Sequence, residues 1–366
     1  MGAATDERWM RLAISLGARR LGQTWPNPAV GCVIVKNGRV LARAATAPGG
    51  RPHAETQALN GLDATGATVY VSLEPCAHTG TTPPCAQALI NASVGRVVFA
   101  LRDPDPRVDG RGADMLRAAG IEVSGPVLEG QARAVNLGFV TSKTKNRPAV
   151  TLKLATSFDG RIATAGGRSQ WITGPQARHF VHAMRANHDA VMVGAGTARA
   201  DDPSLTQRGL GITHQPVRVV ISSDLDLPLD GALAGAIAQS PLWLVHGPEA
   251  PKPVKTAWAA KGAVLIGAAC STEGLDLTDV MHRLAKRGIT RVFCEGGGQL
   301  AGGLLRSKLV DRLVGFTAGM ALGGDGRASI GALNLDAISE TQAFDLESLR
   351  RIGDDIMHVW NAADQA

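Results

Sequence analysis

The chain has 366 residues, of which 45% are hydrophobic and 19% charged, and these proportions exclude a disordered or collagen-like polypeptide. At roughly 150 residues per domain, this length predicts two domains. The net charge of +6 is spread over single residues and pairs, and aromatic residues make up only 4%. Both features favour a small anionic ligand over a nucleic-acid partner.

The first half of the chain follows the element order of a three-layer α/β domain. An amphipathic pattern predicts a helix over 6–21 with Thr5 as its N-cap, and Asn37-Gly38 predicts a hairpin between antiparallel strands. The other predicted elements are strands 29–35, 39–44, 68–72, 96–101 and 121–124 and helices 53–59, 86–92 and 112–119.

A polar stretch with a proline, residues 141–148, is typical of a linker. We therefore predict one domain over residues 1–146 and a second, also α/β, over residues 147–366. Its predicted strands are 150–155, 190–193, 217–222, 242–245 and 291–294, and its predicted helices are 175–186, 277–286 and 300–309.

Neither a signal peptide nor an apolar run of about 18 residues is present, so we expect a cytoplasmic protein that does not contact a membrane. An odd number of cysteines argues against a disulfide framework and favours metal ligation or burial. Burial is expected for Cys32, Cys270 and Cys294.

The most specific motif is Pro52-His53-Ala54-Glu55, followed by Glu74-Pro75-Cys76 and Pro84-Cys85. It matches the signature of zinc-dependent nucleobase deaminases. His53, Cys76 and Cys85 supply three protein ligands for Zn²⁺ and leave a fourth position for water, as a catalytic site requires. Glu55 is then the catalytic group that moves the proton of this water. The alternative is a structural zinc site with His78 as fourth ligand, which would leave Glu55 without a role.

Eight residues separate the two cysteine ligands, where the general signature has two. With the segments Thr24–Gly31 and Asp103–Gly112, this insertion resembles the deaminase half of the bifunctional riboflavin-biosynthesis deaminase/reductase family. The resemblance implies a cytidine-deaminase-like fold and hydrolysis of the 2-amino group of 2,5-diamino-6-ribosylamino-4(3H)-pyrimidinone 5′-phosphate. It also implies substrate contacts by Asn27 and His78.

Two positions depart from the pattern of that family. Thr81 lies where the family has Lys or Arg, and residues 44–46 lack its Gly-aromatic pair. Substrate recognition is then expected to depend on other basic groups, such as Arg51 or Arg107, while the zinc chemistry is unaffected.

Two glycine-rich turns follow predicted strands of the second domain: Gly194-Ala-Gly-Thr197 and Glu295-Gly-Gly-Gly298. Each could bind a dinucleotide phosphate or be a plain tight turn, because neither has the full G-x-G-x-x-G spacing. Residues 152–161, 169–173 and 200–206 resemble the reductase half of the same family, which has a dihydrofolate-reductase-like fold and uses NADPH.

The resemblance implies hydride transfer from NADPH to carbon 1′ of the ribosylamino group. It assigns the cofactor site to Ala155, Trp171, Thr197, Asp201, Ser223 and the turn Gly297, Gly298, Gln299, Leu300, Ala301, Gly302 and Gly303. It assigns the substrate site to Ser169, Arg185, Leu205, Arg208 and Glu295.

Lys153 and Asp201 are the catalytic candidates for proton transfer at the sugar. Alternatively, Lys153 is an inward-pointing strand residue with a paired charge, and Asp201 or Asp202 only caps a helix or turn. Three histidines near one predicted helix lack a metal-ligating partner and are expected at the surface or beside the cofactor. They are His179, His182 and His188.

We therefore predict a bifunctional enzyme, a zinc-dependent deaminase followed by an NADPH-dependent reductase, that yields 5-amino-6-ribitylamino-uracil 5′-phosphate. A homo-oligomer, dimeric or larger, is expected. One alternative is a nucleic-acid base deaminase with an accessory C-terminal binding domain. The other is a zinc-stabilised scaffold without activity, which would keep folding after Glu55→Ala, whereas an enzyme would lose ammonia release and still bind zinc.

Overall fold

A computed structural model describes residues 3–78, 83–106, 108–272 and 274–363. Contacts between Cα atoms divide the chain into two compact units, residues 1–146 and 147–366. Within the part of the chain that the structure describes, no helix has both the length and the apolar surface that crossing a bilayer requires.

The first unit contains a five-stranded sheet in the order β2-β1-β3-β4-β5. Strand β1 is antiparallel to β2 and β3, whereas β3, β4 and β5 are parallel. The strands are β1 Gly31–Lys36, β2 Arg39–Ala45, β3 Thr68–Val71, β4 Arg96–Phe99 and β5 Glu122–Ser124. The helices are α1 Ala3–Ala18, α2 Ala54–Leu59, α3 Cys85–Asn91, α4 Arg111–Ala118, α5 Glu129–Val135 and α6 Leu137–Lys145.

Two predictions for the first unit are wrong. Helix α1 begins at Ala3, so Thr5 lies inside the helix and is not its N-cap. The proposed linker 141–148 is mostly helical, because α6 continues through Lys145 and buries Phe139 and Val140 in the core. The polar residues of that stretch lie largely on the outer side of a core helix.

A buried polar network joins α1 to the sheet of the first unit. The Asp6 carboxylate accepts hydrogen bonds from both terminal nitrogens of Arg96 at 2.9 Å and from the Tyr70 hydroxyl at 2.8 Å. Arg96 lowers the pKa of Asp6 below its ordinary value. The ionised carboxylate thus ties the first helix to strands β3 and β4.

The second unit contains a nine-stranded sheet in the order β11-β10-β9-β8-β14-β6-β15-β18-β17. The strands from β11 to β15 are parallel, and β18 and β17 complete the sheet as an antiparallel pair. The strands are β6 Ala149–Ser157, β7 Arg161–Ala163, β8 Ala190–Gly194, β9 Val217–Ile221, β10 Leu242–His246, β11 Val264–Gly267, β12 Cys270–Ser271, β13 Gly274–Leu275, β14 Arg291–Cys294, β15 Val310–Ala318, β16 Arg327–Ala328, β17 Phe344–Ile352 and β18 Asp355–Ala362. The helices are α7 Pro175–Ala186, α8 Ala195–Asp201, α9 Ala232–Gly235, α10 Lys252–Ala260, α11 Leu277–Lys286 and α12 Gly298–Arg306.

The register of the parallel strands places the ends of β8 and β14 level with the middle of β6. Cys294 on β14 is opposite Leu152 on β6 and Met192 on β8. The residues that follow, Lys153 and Glu295 among them, therefore lie next to each other at the carboxyl edge of the sheet, where ligands of open α/β sheets usually bind. Both units are α/β, as predicted.

Of the three cysteines outside the zinc motif, two are buried as predicted. Cys32 and Cys294 are buried in strands, as predicted. Cys270 is exposed, so its predicted burial is wrong. The reason is its position in the short hairpin β12–β13, outside the main sheet.

Candidate active sites

Three metal-ligating side chains come together in the first unit. The donor atoms of His53, Cys76 and Cys85 all lie within 4.8 Å of one another. His53 Nδ1 is 3.2 Å from Cys85 Sγ and 3.8 Å from Cys76 Sγ. Ligands bound to zinc at about 2.0–2.3 Å in tetrahedral geometry are separated by roughly 3.5 Å, so this donor set fits Zn²⁺.

Local structure explains how each ligand reaches this point. His53 is the residue before α2, Cys76 follows β3 in a segment without regular secondary structure, and Cys85 is the first residue of α3. The backbone amide of Cys85 donates to Cys76 Sγ at 3.3 Å. Hydrogen bonds from Cys85 and His53 lower the pKa of Cys76 to about 4, which favours the thiolate form that a metal ligand requires.

Glu55 lies in the first turn of α2, two residues after the His53 ligand, and only 4% of it is exposed. Burial, followed by the negative charge of Cys76, raises the pKa of Glu55 to about 7. A carboxyl group with this pKa can both accept and donate a proton near neutral pH. Glu55 is not one of the three clustered ligands. Its position beside the candidate metal ligands and its pKa therefore suit acid–base chemistry.

The structural-zinc alternative has little support in this geometry. His78 is half-buried and is not part of the ligand cluster formed by the described residues. Its Nδ1 is buried and has no hydrogen-bond partner among them. A polar atom of this kind suits a contact with a bound small molecule better than a closed four-ligand site.

The other predicted substrate contact, Asn27, lies close to the metal-ligand loop. A Cβ on Gly50 would be 2.1 Å from Asn27 Nδ2, so the amide packs directly on the chain that leads to His53. Thr81 and Arg107 lie outside the described residues, and the predicted consequence of Thr81 stays a prediction.

In the second unit, four of the predicted site residues lie together at the carboxyl edge of the sheet. Arg185 donates from Nε and Nη2 to the two carboxylate oxygens of Glu295, at 2.5 and 3.0 Å. Burial opposes ionisation of Glu295, but the charge of Arg185 lowers its pKa below the ordinary value. Burial lowers the pKa of Lys153, and the charges of Glu295, Arg185 and Asp201 act on it as well.

Asp201, at the end of α8, is close enough to Lys153 for the two charges to interact. Burial raises the pKa of Asp201. Its neighbour Asp202 has a different contact, because its carboxylate accepts from the Ala232 amide at the start of α9, at 2.8 and 3.0 Å. Capping therefore belongs to Asp202, and Asp201 is left beside the lysine.

The loop after α8 joins the same cluster. The Thr206 carbonyl accepts from Arg185 Nη1 at 2.9 Å, and the preceding Leu205 is buried with a φ of 56°. Arg208 ends this stretch with an exposed side chain. The predicted substrate residues Leu205 and Arg208 thus lie on either side of the Thr206 carbonyl, which accepts a hydrogen bond from Arg185, a third predicted substrate residue.

The two glycine-rich segments lie next to each other, and most of their glycines have packing roles. The Gly297 amide donates to Thr197 Oγ1 at 3.1 Å, which joins α12 to α8. A Cβ on Gly298 would lie 2.6 Å from the Ala328 carbonyl, and one on Gly302 would lie 3.2 Å from the Gly331 carbonyl. Gly297 is half-buried and has the first-turn amides of α12 after it, as a nicotinamide-cofactor phosphate requires.

The remaining predicted cofactor and substrate residues lie on several elements of the second unit. Ala155 lies two residues after Lys153 on β6, and exposed Ser223 follows β9. Exposed Trp171 carries the Arg178 guanidinium 4.4 Å from its ring centre. No hydrogen bond among the described residues joins Trp171 or half-buried Ser169 to Lys153. Gln299 is exposed, Leu300 packs on Gly296, Ala301 is fully buried, and Gly303 lies against Leu277.

Two of the three histidines on and near α7 are buried or half-buried. His188 is a core residue, so its predicted surface or cofactor-adjacent position is wrong: Nδ1 lies 2.7 Å from the Met184 carbonyl and Nε2 lies 3.0 Å from the Thr151 hydroxyl. His182 lies beside Arg185 and Glu295, and burial lowers its pKa. His182 is three residues before Arg185 on α7, and this spacing places the two side chains on the same face of the helix.

Comparisons with known proteins match both units. A family model described as the cytidine and deoxycytidylate deaminase zinc-binding region matches residues 3–101, and one described as the RibD C-terminal domain matches residues 148–358. The riboflavin biosynthesis protein RibD of Aquifex aeolicus is 38% identical over 355 residues, which cover 96% of this chain and 97% of the relative. The predicted fold classes are confirmed.

Two solved structures are similar over nearly the whole length. RibD of Acinetobacter baumannii has a TM-score of 0.88 and 35% identity, covering 99% of this chain and 100% of that one. A Thermotoga maritima protein described as a diaminohydroxyphosphoribosylaminopyrimidine deaminase/5-amino-6-(5-phosphoribosylamino)uracil reductase has a TM-score of 0.87 and 32% identity, with the same coverage.

Proposed function

The chain belongs to the RibD family of bifunctional deaminase/reductases of riboflavin biosynthesis, and from this premise we propose which reaction each unit carries out. Residues 1–146 hydrolyse the 2-amino group of 2,5-diamino-6-ribosylamino-4(3H)-pyrimidinone 5′-phosphate. Residues 147–366 then reduce the ribosyl group with NADPH to give 5-amino-6-ribitylamino-uracil 5′-phosphate. The Thermotoga maritima relative, whose name gives the same two activities, supports this substrate assignment.

The first unit needs a nucleophilic water and a proton carrier. Zinc held by His53, Cys76 and Cys85 would activate a water for attack on the ring carbon that bears the amine. Glu55 takes a proton from that water and passes it to the leaving nitrogen. One C–O bond forms, one C–N bond breaks, and ammonia leaves. His78 and Asn27 hold the pyrimidine in this proposal.

The second unit needs an electron donor and an acid. NADPH bound along the start of α12 would supply the hydride for carbon 1′ of the sugar. Lys153 donates a proton to the ring oxygen as the sugar opens, and its burial makes it a stronger acid than an exposed lysine. Asp201 balances the lysine charge. Arg208 binds the substrate phosphate as an exposed guanidinium at the edge of the site.

The observation that carries this proposal is the position of Glu55: a buried carboxyl group beside three zinc-type ligands that it does not join. A scaffold has no use for such a group. A nucleic-acid deaminase with an accessory binding domain is not favoured, because the second unit matches a reductase family model over residues 148–358.

The proposal extends to assembly and location. The outer strands β17 and β18 expose Leu346, Leu349 and Ile356, which supports a homo-oligomer formed through this face. Sedimentation of the purified chain tests it, and a monomer would contradict it. We place the enzyme in the cytoplasm, where the Cys76 and Cys85 side chains stay reduced.

The two half-reactions can be measured separately on the full chain. With the diamino substrate, we expect ammonia release that depends on bound zinc. With the deaminated intermediate, we expect NADPH oxidation, and NADH should be a poorer donor. Absence of ammonia release would overturn the first assignment, and equal rates with NADH would overturn the cofactor assignment.

A further inference from the structure

Glu74 is a buried carboxylate between the end of β3 and helix α4, and 3% of it is exposed. Its Oε2 accepts from the backbone amide of Gly110 at 3.1 Å and from that of Asp103 at 3.4 Å. Its Oε1 accepts from the amide of Ala113, in the first turn of α4, at 3.1 Å. Backbone donors and a helix N-terminus therefore stabilise this buried charge.

The chain around Glu74 is fixed at two further points. The Glu74 amide donates to the Leu101 carbonyl at 2.8 Å. Gly112 of α4 lies directly against Pro75, because a Cβ there would be 1.8 Å from the Pro75 carbonyl oxygen. The Glu74 side chain, the Glu74 amide and the next residue, Pro75, are thus all held by described residues of 101–106 and 108–113.

Pro75 is followed in the chain by Cys76, one of the three candidate metal ligands. It lies in a segment without regular secondary structure, between β3 and α3, and its carbonyl accepts from the Ala86 amide at 3.2 Å. A thiolate on such a segment is placed only as accurately as the backbone that carries it. Hydrogen bonds that hold a metal ligand in position commonly influence the affinity of the site for its metal.

We propose that Glu74 is a positioning residue of the metal site. By binding three amides of the segment 103–113, it holds the backbone of Cys76 so that the Sγ atom stays in place beside His53 and Cys85. The proposal deepens the deaminase function and rests on the metal site assigned to the first unit. It also explains why an acidic residue directly precedes the Pro75-Cys76 step.

The test uses Co²⁺ bound to the purified full chain, with two readouts besides activity. One is the dissociation constant from competition with a chelator, and the other is the position of the cobalt d–d and thiolate charge-transfer bands. Glu74→Gln turns one acceptor oxygen into a donor that faces an amide. We expect the dissociation constant to rise about tenfold to a hundredfold and the bands to shift.

Asp6→Asn is the matched control. Asp6 is also a buried carboxylate of the first unit, but its partners are Arg96 and Tyr70, so the variant loses stability without touching the ligand segment. We expect the affinity and bands of the unchanged chain. Glu74→Asp keeps the charge on a side chain one methylene shorter, and we expect the same band shift with a smaller loss of affinity.

The outcomes separate the two levels of the account. Wild-type bands and affinity in Glu74→Gln, or in Glu74→Asp if only that variant folds, would overturn the role of Glu74. An equal loss in Asp6→Asn would overturn it too, because general destabilisation would then explain the effect. Failure of the unchanged chain to bind Co²⁺ or Zn²⁺ would instead overturn the metal site.

Discussion

Arg185 and Glu295, 110 residues apart in the chain, form a bidentate ion pair with N–O distances of 2.5 and 3.0 Å. Their side chains are only 12% and 9% exposed. The third nitrogen of Arg185 donates to the Thr206 carbonyl. Every nitrogen of this guanidinium already has a protein acceptor. The main role of Arg185 is therefore to orient Glu295 beside Lys153 rather than to bind a ligand.

The exposed Arg208 should therefore carry more of the phosphate binding than Arg185. We expect Arg208→Ala to raise the KM of the reductase about tenfold to a hundredfold, the loss of a charge-assisted hydrogen bond, without lowering the melting temperature. Arg185→Ala should lower the melting temperature as well, because it leaves Glu295 buried and unpaired. Steady-state kinetics and calorimetry test this, and an unchanged KM in Arg208→Ala would contradict it.

Glu55→Gln should lower the rate of ammonia release by about 10²- to 10⁴-fold, the usual contribution of a general acid–base group. The shape of the side chain is kept, so zinc content, measured by elemental analysis, should not change. Reduction of the deaminated intermediate by the same variant should keep the wild-type rate. Loss of zinc together with activity would show that Glu55 supports the ligands rather than the proton transfer.

His188 makes the second unit sensitive to acid. Burial, followed by the charges of Arg291 and Arg312, lowers the pKa of His188 to about 3. The unfolded chain, with an ordinary pKa near 6.5, binds more protons between these values. Stability is thus complete above pH ~6.5 and is lost as the pH falls, by about 2 to 3 kcal/mol at pH ~4.5.

Urea unfolding of His188→Gln at neutral and acidic pH tests this. The variant should be less stable than the unchanged chain at neutral pH, because contacts with Thr151 and Met184 are altered. Between neutral pH and pH ~4.5, the free energy of unfolding of the variant should fall by about 2 to 3 kcal/mol less than that of the unchanged chain. His179→Gln, at an exposed position of α7, is the control and should keep the original pH dependence. Equal pH dependence in both variants would contradict the assignment.

Arg218 is fully buried on β9 and donates to the carbonyls of Leu233 and Ser240 at 2.8 Å and of Ser204 at 3.4 Å. Arg218→Met leaves these carbonyls buried without a donor and should cost about 3 to 5 kcal/mol. Arg199→Met removes a surface ion pair with Asp226 and an exposed hydrogen bond to the Asp226 carbonyl, and should cost about 0 to 1 kcal/mol. Calorimetry measures both, and similar melting temperatures would contradict the role of Arg218.

Local signals in the sequence predicted some elements to the residue. Helix α7 begins at Pro175, where proline suits a first turn, and α11 begins after Asp276, whose carboxylate accepts from the amides of Thr278 and Asp279. The cluster of His53, Cys76 and Cys85 was also predictable, because zinc chemistry restricts both residue type and spacing.

The rest depended on contacts between distant segments. The pairing of Arg185 with Glu295 requires β14 to lie between β6 and β8, which no local pattern specifies. Strand β17 was missed because most of it is exposed and it has no regular hydrophobic alternation. The polar residues of α6 were mistaken for a linker because composition alone does not distinguish an exposed helix face from a loop.

One assay tests the central claim, that the two units work in sequence: NADPH oxidation by the zinc-loaded chain given only the diamino substrate. We expect oxidation by the unchanged chain and none by Glu55→Gln or by Lys153→Met, although Lys153→Met still releases ammonia. An equimolar mixture of the two variants should oxidise NADPH again, because each supplies the unit that the other lacks. No oxidation by the unchanged chain, or oxidation by Glu55→Gln alone, would contradict the account.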